Sequence, residues 1–201
     1  MKDREHWKPS KYSLSHGRLK PSRDSRELLP SSRLIGKLLA DRNQPVLAVH
    51  LCGRLFDLEC GKVPLYAAYR NRLSDNVCVD WLGSLHHNIH DDQFCDHAQP
   101  LPFADDSFDT ILSSDVIEHL PDLLLAFKEM GGLLRPGGKL ILNTPCMYMP
   151  QEIPHDYYRH TRYSLDRLTA WPGLSRLAWT RLVASARYSA TYEARRCRWH
   201  R

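Results

Sequence analysis

Residues 108–143 read FDTILSSDVIEHLPDLLLAFKEMGGLLRPGGKLILN, and they predict the fold more clearly than any other part of the chain. Residues 108–113 are a short apolar run that is typical of a buried strand. Residues 115–134 have helical spacing, with one apolar side formed by Val116, Leu120, Leu123, Leu124, Phe127 and Met130. The Arg-Pro-Gly-Gly sequence at 135–138 ends this helix, because proline and paired glycines interrupt helices. Residues 139–143 (KLILN) form a second strand, so the stretch predicts a β-α-β unit.

Two further strands are predicted on the N-terminal side of this unit. Residues 54–58 (RLFDL) precede a glycine-containing turn, and residues 76–80 (NVCVD) end in an acid. A weak helix at 63–72 connects them, and an earlier helix is capped by a serine at 31–32 and ended by residues 42–45. Strands that alternate with helices favour parallel pairing. We therefore expect an α/β fold with a doubly wound, mostly parallel sheet.

The length of 201 residues fits one domain, residues 1–201. Within it, residues 1–30 are rich in Lys, Arg, Ser and Pro and are expected to form an irregular basic N-terminal arm. Residues 31–170 are expected to form the α/β core and a lid. Residues 171–201 are an atypical tail rich in Arg and Trp.

The end of the chain differs in charge from the rest. From Arg159 to Arg201 there are ten arginines, no lysine and two acids, whereas the first 158 residues carry a small excess of acids. No pattern in residues 171–201 matches the turn and strands that usually complete such a sheet, so we expect the C-terminal strands to be missing or altered. A truncated or frame-shifted end and an RNA-binding tail are both open interpretations.

The sequence contains no recognisable membrane or export signal. No apolar run approaches the ~20 residues that a membrane-spanning helix needs, and residues 1–13 (MKDREHWKPSKYS) are polar. We therefore expect no transmembrane segment and a cytoplasmic location. The six cysteines form no Cys-x-x-Cys pair, so we expect free thiols.

In a doubly wound sheet, ligands bind beyond the carboxyl ends of the strands, where the strand order reverses. These ends are occupied by Glu59-Cys60-Gly61, Asp80-Trp81, Ser113-Ser114-Asp115 and Thr144-Pro145. Asp80 lies 19 residues after Gly61, a spacing at which an acid can accept hydrogen bonds from a ribose diol. Trp81 can lie against an adenine face. The alternative role for such an aspartate is a helix cap or a solvated turn.

An ordered series of motifs carries a more specific resemblance. Residues 96–109 read DHAQPLPFADDSFD, residues 115–120 read DVIEHL, and the Arg-Pro-Gly-Gly sequence at 135–138 follows. In this order, and over residues 54–168, the chain resembles class I S-adenosylmethionine-dependent methyltransferases of the type-11 group. The resemblance implies a Rossmann-like methyltransferase fold, S-adenosylmethionine as the cofactor and methyl transfer as the reaction.

The resemblance also implies roles for single residues. In chain order it assigns the methionine part of the cofactor to Asp57, Glu59, Cys60 and Gly61. It assigns the ribose to Asp80 with Trp81 beside it, the adenine to Asp96 with His97 and Ala98, and the floor below the sulfonium to Ser113 and Ser114. Glu118 and His119 match a pair at the start of the following helix, which we interpret as structural, with a catalytic role as the alternative. The family's first motif usually reads D-L-G-C-G, but Glu59 replaces its first glycine and Val63 stands at a later one. If the Glu59 position needs a positive φ, the glutamate is strained there by ~1 kcal/mol or more. Its carboxylate either repels the cofactor's carboxylate or attracts its sulfonium.

Residues 154–163 (PHDYYRHTRY) follow the last predicted strand and should cover the mouth of the site. His155 or His160 is a candidate general base near neutral pH, with His155 favoured, and Tyr157 can bind a ring. The alternative is a packed lid whose histidines only form hydrogen bonds. The His- and Asp-rich residues 86–97 match no metal-binding spacing, so we expect a solvated loop and no metal.

These features favour an enzyme that transfers a methyl group from S-adenosylmethionine to an unidentified small-molecule or lipid-like acceptor. The alternative is a catalytically impaired methyltransferase-like binding or scaffold protein, because of Glu59 and the tail. A basic nucleic-acid-binding module is a third and less favoured interpretation. No feature of the sequence indicates the oligomeric state.

Overall fold

The computed structural model describes residues 1–84, 89–96, 99–170, 174–182 and 187–194. In chain order its strands are β1 (Tyr12–Ser15), β2 (Arg18–Pro21), β3 (Gly53–Leu58), β4 (Leu73–Asp80), β5 (Gln93–Phe94), β6 (Phe108–Ser114), β7 (Leu134–Pro145), β8 (Leu174–Leu182) and β9 (Arg187–Ala194). Its α-helices are α1 (Arg33–His50), α2 (Tyr66–Tyr69), α3 (Leu123–Leu133) and α4 (Arg162–Ala170). β1 and β2 form a hairpin, and the other strands form one sheet in the order β5-β4-β3-β6-β7-β9-β8.

The order of the main sheet makes it doubly wound. Neighbouring strands from β5 to β7 are parallel, and β9 pairs antiparallel with both β7 and β8. The chain moves outward from β3 through β4 to β5 and then returns to β6 on the other side of β3. The strand order therefore reverses between β3 and β6, where the carboxyl ends of the strands open a crevice for a ligand. The predicted α/β fold is confirmed.

Both faces of the sheet are covered, as parallel strands require. Successive residues of one strand point to opposite faces. Ile111 packs in the core that contains Phe127 of α3, whereas Leu112 packs in the core that contains Leu47 of α1. Because both cores hold the central strands, the side chains at their carboxyl ends have fixed positions.

Helix α1 extends further than the sequence predicted. The segment at 42–45 was expected to end it, but Pro45 lies inside the helix. The chain continues as a helix because Leu47 beyond the proline is only 1% exposed and packs in the core. Ser32 is the N-cap as expected, although its side chain makes no capping hydrogen bond.

Helix α3 is shorter than the sequence predicted. It begins at Leu123, and Asp122 caps it by accepting a hydrogen bond from the Leu125 N–H at 3.0 Å. The residues before this cap form turns that still bury Val116 and Leu120. Their apolar spacing therefore looked helical although the backbone is not. The predicted end of the helix before residues 135–138 is confirmed.

The prediction of an irregular N-terminal arm is wrong for residues 12–21. β1 and β2 pair antiparallel across a turn at His16 and Gly17, which have φ angles of 50° and 72°. Two positive φ angles in a two-residue loop match the twist of a hairpin. One face of the hairpin is buried in the core on the α1 side, where Tyr12 and Leu19 are each 3% exposed.

The C-terminal strands, expected to be missing or altered, are present in the residues that the structure describes. β9 pairs with β7 from Pro145 to Lys139, and β8 covers β9. Ala190, Tyr192 and Ala194 alternate into the core, a period-two pattern that the many arginines obscure. Within the described residues, no helix is long and apolar enough to cross a membrane.

Candidate active site

The carboxyl ends of β3 and β4 bring two of the predicted site residues into contact. Asp80, the last residue of β4, is 2% exposed, and its Oδ2 accepts a hydrogen bond from the Gly61 N–H at 3.2 Å. Its Oδ1 accepts one from the Trp81 N–H at 2.9 Å, and the Ser84 hydroxyl lies 3.4 Å from Oδ2. These donors fix the carboxylate at the sheet edge, beside the turn that follows β3.

The turn after β3 contains three residues with a positive φ. The angles are 47° at Glu59, 50° at Gly61 and 47° at Val63. Side chains other than glycine are strained there, and a β-branched valine is an outlier. The positive φ considered for Glu59 is therefore confirmed, and Val63 shows the same strain at a second position. Val63 is fully buried and its carbonyl accepts a hydrogen bond from Trp7 Nε1 at 3.1 Å, so packing stabilises the turn.

Asp57 lies below this turn and faces the protein interior. It is 6% exposed, and the Tyr69 hydroxyl donates a hydrogen bond to its Oδ2 at 2.7 Å. The pKa of Asp57 is raised to about 7, chiefly by burial and also by the nearby Asp80 carboxylate, while the Tyr69 hydrogen bond opposes part of the shift. Asp57 therefore supports the turn from the core side and does not line the sheet edge.

Cys60, also in the turn, points to the side of β4. Its thiol donates a hydrogen bond to Asp91 Oδ1 at 3.3 Å. The neighbouring Cys78 thiol and burial raise the pKa of Cys60 well above its usual value. The expected free thiols are confirmed for the cysteines that the structure describes, Cys52, Cys60, Cys78, Cys95 and Cys146.

The described part of the His- and Asp-rich stretch, residues 89–96, is partly packed, because His90, Asp91 and Cys95 are buried while its other residues are exposed. The prediction of a solvated loop is therefore wrong for those three residues. His90 is 6% exposed and its Nδ1 lies 3.1 Å from the Lys2 carbonyl oxygen. Asp91 is 9% exposed. The packing follows from the N-terminal segment, which runs alongside and which the sequence pattern did not place here. Asp91, Cys60 and Asp80 bring their side-chain oxygen and sulfur atoms within 4.8 Å of one another.

The residues assigned to the adenine are only partly described. Asp96 is exposed just beyond β5, while His97 and Ala98 lie outside the described residues. Trp81 is half-buried, and its ring meets the His155 ring edge-on at 5.1 Å between centroids. The end of β4 and the predicted lid are therefore in direct contact.

The two serines at the end of β6 face opposite sides of the sheet. Ser113 is fully buried, and its Oγ has no hydrogen-bond partner within the described residues. Ser114 Oγ accepts a hydrogen bond from Asn143 Nδ2 at 3.3 Å. Asn143 at the end of β7 was not singled out from the sequence, because it looked like an ordinary strand residue.

Glu118 and His119 attach the lid to the sheet, in agreement with the structural role expected for them. The buried Glu118 carboxylate accepts a hydrogen bond from Thr144 Oγ1 at 3.2 Å, and its backbone carbonyl accepts one from the Tyr157 N–H at 2.8 Å. His119 Nδ1 lies 2.7 Å from the His155 carbonyl oxygen, which makes the ring nitrogen a donor.

The three candidate residues for acceptor chemistry differ in exposure. His155 is half-buried and its Nδ1 lies 3.1 Å from the Tyr157 hydroxyl, and Tyr157 is 47% exposed. His160 is only 4% exposed. Burial, together with the adjacent Arg159 charge, lowers the pKa of His160 to about 4. His155 and Tyr157 therefore lie at the mouth of the site, and His160 lies beneath it.

The sequence analysis missed the ion pair that organises the lid. We call residues 146–160 the lid loop. Asp156, with a side chain only 3% exposed, pairs with Arg159, which lowers the pKa of the carboxyl. The same guanidinium donates to the Tyr148 and Met149 carbonyls, both at 3.1 Å. These bonds join distant parts of an irregular loop, so no sequence periodicity reveals them.

Comparisons with known proteins found similarity to methyltransferases. The family described as "Methyltransferase domain" matches residues 56–142. The demethylmenaquinone methyltransferase of Staphylococcus haemolyticus is 40% identical over 65 residues, which are 32% of this chain and 25% of that protein. The ubiquinone biosynthesis O-methyltransferase of Parvibaculum lavamentivorans is 40% identical over 53 residues, 26% of this chain and 21% of that protein. The matches thus cover about a quarter or less of these two relatives.

A solved S-adenosylmethionine-dependent methyltransferase from Mesorhizobium loti has the same fold. Its TM-score is 0.61 at 14% sequence identity, over 80% of this chain and 99% of that one. At this identity the likeness shows the fold alone. Residues 56–142 thus match the methyltransferase-domain family, and the sheet has the fold of a solved S-adenosylmethionine-dependent methyltransferase.

Proposed function

We propose that this protein transfers a methyl group from S-adenosylmethionine to a small, lipid-like acceptor. The observation that supports this most is the contact between the Gly61 N–H and the Asp80 carboxylate at the carboxyl ends of β3 and β4, next to the point where the strand order reverses. In doubly wound sheets a nucleoside ligand binds at this point, and an acid at the end of the second strand accepts hydrogen bonds from its ribose.

The residues at this edge have the chemistry that such a cofactor needs. Each carboxylate oxygen of Asp80 can accept more than one hydrogen bond, so ribose hydroxyls can add to the donors already present. The fully buried Ser113 hydroxyl, which has no partner within the described residues, offers a further polar atom below the crevice. When bound, S-adenosylmethionine supplies a methyl group that its sulfonium has already activated.

The remaining cofactor contacts follow from the neighbouring strand ends. We assign the adenine to Trp81 and Asp96, with His97 and Ala98 beside them. The methionine end is assigned to the turn of residues 59–61. Ser113 and Ser114 then lie between the cofactor and the acceptor. Each of these assignments is part of the proposal.

The chain's own task in the reaction is to hold the acceptor in line with the methyl group and to take up a proton from an acidic acceptor. We assign the proton to His155, which lies at the mouth of the site against Trp81 and Tyr157. His160 suits this role less well, because its lowered pKa makes it a weak base and its burial shields it from an acceptor. Tyr157 is assigned to contact the acceptor.

The names of two relatives support a lipid-like acceptor. They are methyltransferases of demethylmenaquinone and of ubiquinone biosynthesis. The matched segments are short, so the acceptor class is carried over as a proposal only. We further propose that residues 1–201 act as one domain, because the hairpin packs on α1 and β9 pairs with β7.

Calorimetric titration with S-adenosylhomocysteine tests the cofactor assignment. The unaltered chain should bind, and Asp80→Ala should abolish binding, because the ribose loses its acceptor. Asp75→Ala is the matched control, since Asp75 is in the same strand but 46% exposed and paired with Arg54. The control should bind like the unaltered chain. Unchanged affinity in the Asp80 variant, or no binding by a folded unaltered chain, contradicts the proposal.

A second candidate is a catalytically impaired binding or scaffold protein with the same fold. The observation that favours it is the turn after β3, where Glu59 and Val63 both have a φ of 47° in place of the usual glycines. A glutamate there places a negative charge where the cofactor's carboxylate should lie. A folded chain that binds neither S-adenosylmethionine nor S-adenosylhomocysteine would support this candidate over the enzyme.

A further inference from the structure

The lid loop encloses one ion pair and exposes several apolar side chains. Asp156 is buried against Arg159, as described above. By contrast, side chains exposed by 74%, 76% and 74% belong to Met147, Met149 and Ile153. Apolar side chains scattered singly over a surface need no explanation, but three in one short loop at the mouth of a site indicate an interaction surface.

The internal bonds of the loop keep these side chains exposed. Arg159 binds the carbonyls of Tyr148 and Met149, and Asp156 Oδ2 accepts a hydrogen bond from the Gln151 N–H at 2.5 Å. Both limbs of the loop are thereby joined to one ion pair. Because the charged pair is satisfied within the loop, moving the loop into an apolar environment brings no unpaired Asp156 or Arg159 charge with it.

Basic residues flank the loop on both sides. On one side the Tyr148 hydroxyl lies 3.4 Å from Ser32 Oγ, and Arg33 is the next residue along the chain, at the start of α1. On the other side Arg162, at the start of α4, lies 4.5 Å over the exposed ring of Tyr163. An apolar centre with a basic border is complementary to an anionic lipid surface.

We propose that the lid loop docks this protein onto the surface of an anionic lipid bilayer. Met147, Met149 and Ile153 enter the boundary between the headgroups and the acyl chains, and the flanking Arg33 and Arg162 contact the phosphates. The inference deepens the proposed function, on which its meaning for the reaction rests, because a lipid-like acceptor then reaches His155 from the bilayer.

Co-sedimentation with vesicles tests the docking. The probes are phosphatidylcholine vesicles with and without phosphatidylglycerol. The matched pair of variants is Ile153→Ser and Val49→Ser, because both remove one β-branched side chain, exposed by 74% and 75%. Val49 lies near the C-terminal end of α1, and the strand that follows it begins at the opposite edge of the sheet from the site. The triple variant Met147→Ser/Met149→Ser/Ile153→Ser enlarges the effect.

We expect binding to the anionic vesicles that weakens with salt, a fall of about tenfold or more in the triple variant, a smaller fall in Ile153→Ser and none in Val49→Ser. Circular dichroism checks that every variant folds. No vesicle binding by the unaltered chain overturns the inference, as does an equal loss in Val49→Ser and Ile153→Ser. A dimer seen by light scattering that the triple variant loses, without vesicle binding, overturns it as well and assigns the loop to a second copy.

The docking and the proposed function fail separately in these measurements. Titration with S-adenosylhomocysteine needs no vesicles, and vesicle binding needs no cofactor. Loss of vesicle binding with intact cofactor binding therefore overturns the docking alone. Vesicle binding by a chain that takes up no S-adenosylhomocysteine supports the docking and contradicts the proposed function.

Discussion

The turn after β3 and the lid loop border the same site, but they are stabilised in opposite ways. In the turn, residues 59–63, two side chains occupy positive-φ positions, and the carboxyl groups of Asp57 and Asp80 are buried at its base. In the lid loop, residues 146–160, a single ion pair lies inside and apolar side chains lie outside.

The difference shows which half of the site the fold itself determines. The turn is held by the core on the α1 side and by the end of β4, so it keeps its conformation even where Glu59 replaces a glycine. The lid loop depends on the hydrogen bonds of one arginine. The half assigned to the cofactor therefore has a recognisable sequence motif, and the half assigned to the acceptor has none.

The largest expected effect concerns Asp57 at the base of the turn. Its pKa is raised from 3.8 to about 7 by burial. When folding raises the pKa of a carboxyl group, the protonated group stabilises the fold. This stabilisation is complete at a pH below the pKa of the unfolded chain, and it is lost as the pH rises through the pKa of the folded chain. The free energy of unfolding should therefore fall by up to about 4 kcal/mol between about pH 4 and about pH 8 because of this one group.

Urea unfolding of Asp57→Asn across this pH range measures the effect. Asparagine can still accept the Tyr69 hydrogen bond but does not ionise. The free energy of unfolding of the variant should therefore increase relative to that of the unaltered chain as the pH rises. Asp75→Asn, at an exposed position of β4, should show no such gain. Parallel pH profiles for Asp57→Asn and the unaltered chain would refute the buried, titrating carboxyl group.

The next effect concerns the ion pair in the lid loop. Arg159→Ala leaves the buried Asp156 carboxylate without its partner and frees two carbonyls, so we expect a loss of about 2 kcal/mol in the free energy of unfolding. Limited proteolysis should also cut the lid loop faster. Arg159→Lys keeps the positive charge but lacks the planar set of guanidinium donors, so its free energy of unfolding should lie between those of the alanine variant and the unaltered chain. An alanine variant as stable and as resistant as the unaltered chain would show that the pair does not organise the loop.

The smallest effect concerns the strain in the turn. Glu59→Gly should stabilise the fold by ~1 kcal/mol, because glycine adopts a φ of 47° without the clash of a Cβ atom. If the cofactor binds here, its affinity should rise as well. Glu59→Ala separates the causes, since it removes the charge but keeps the strain. Calorimetry of both variants measures the effect of the charge on cofactor affinity, and urea unfolding measures the effect of the strain on stability. A destabilised Glu59→Gly variant would contradict the strain.

Much of this fold could be predicted because its central strands are continuous apolar runs. β3, β4, β6 and β7 were recognised from such runs, and the glycine pattern indicated the unusual backbone at Glu59. The hairpin of β1 and β2 was missed because each strand has only four residues, too few for an alternating pattern to stand out. The start of α3 was missed because turns before Asp122 bury residues at helical spacing.

The site could be predicted only where it depends on strand ends. Asp80 and Gly61 were placed together because the carboxyl ends of neighbouring parallel strands meet. The contact of Trp81 with His155, and that of Trp7 with Val63, join segments far apart in the chain. Such contacts depend on the path of irregular loops, which local sequence preferences do not determine.

A crystal structure of the chain with S-adenosylhomocysteine tests the central claim most directly. We predict that the ligand lies at the carboxyl ends of β3 and β4, with its ribose hydroxyls within hydrogen-bond distance of the Asp80 carboxylate. A ligand bound elsewhere, or at this edge without contact to Asp80, would contradict the account.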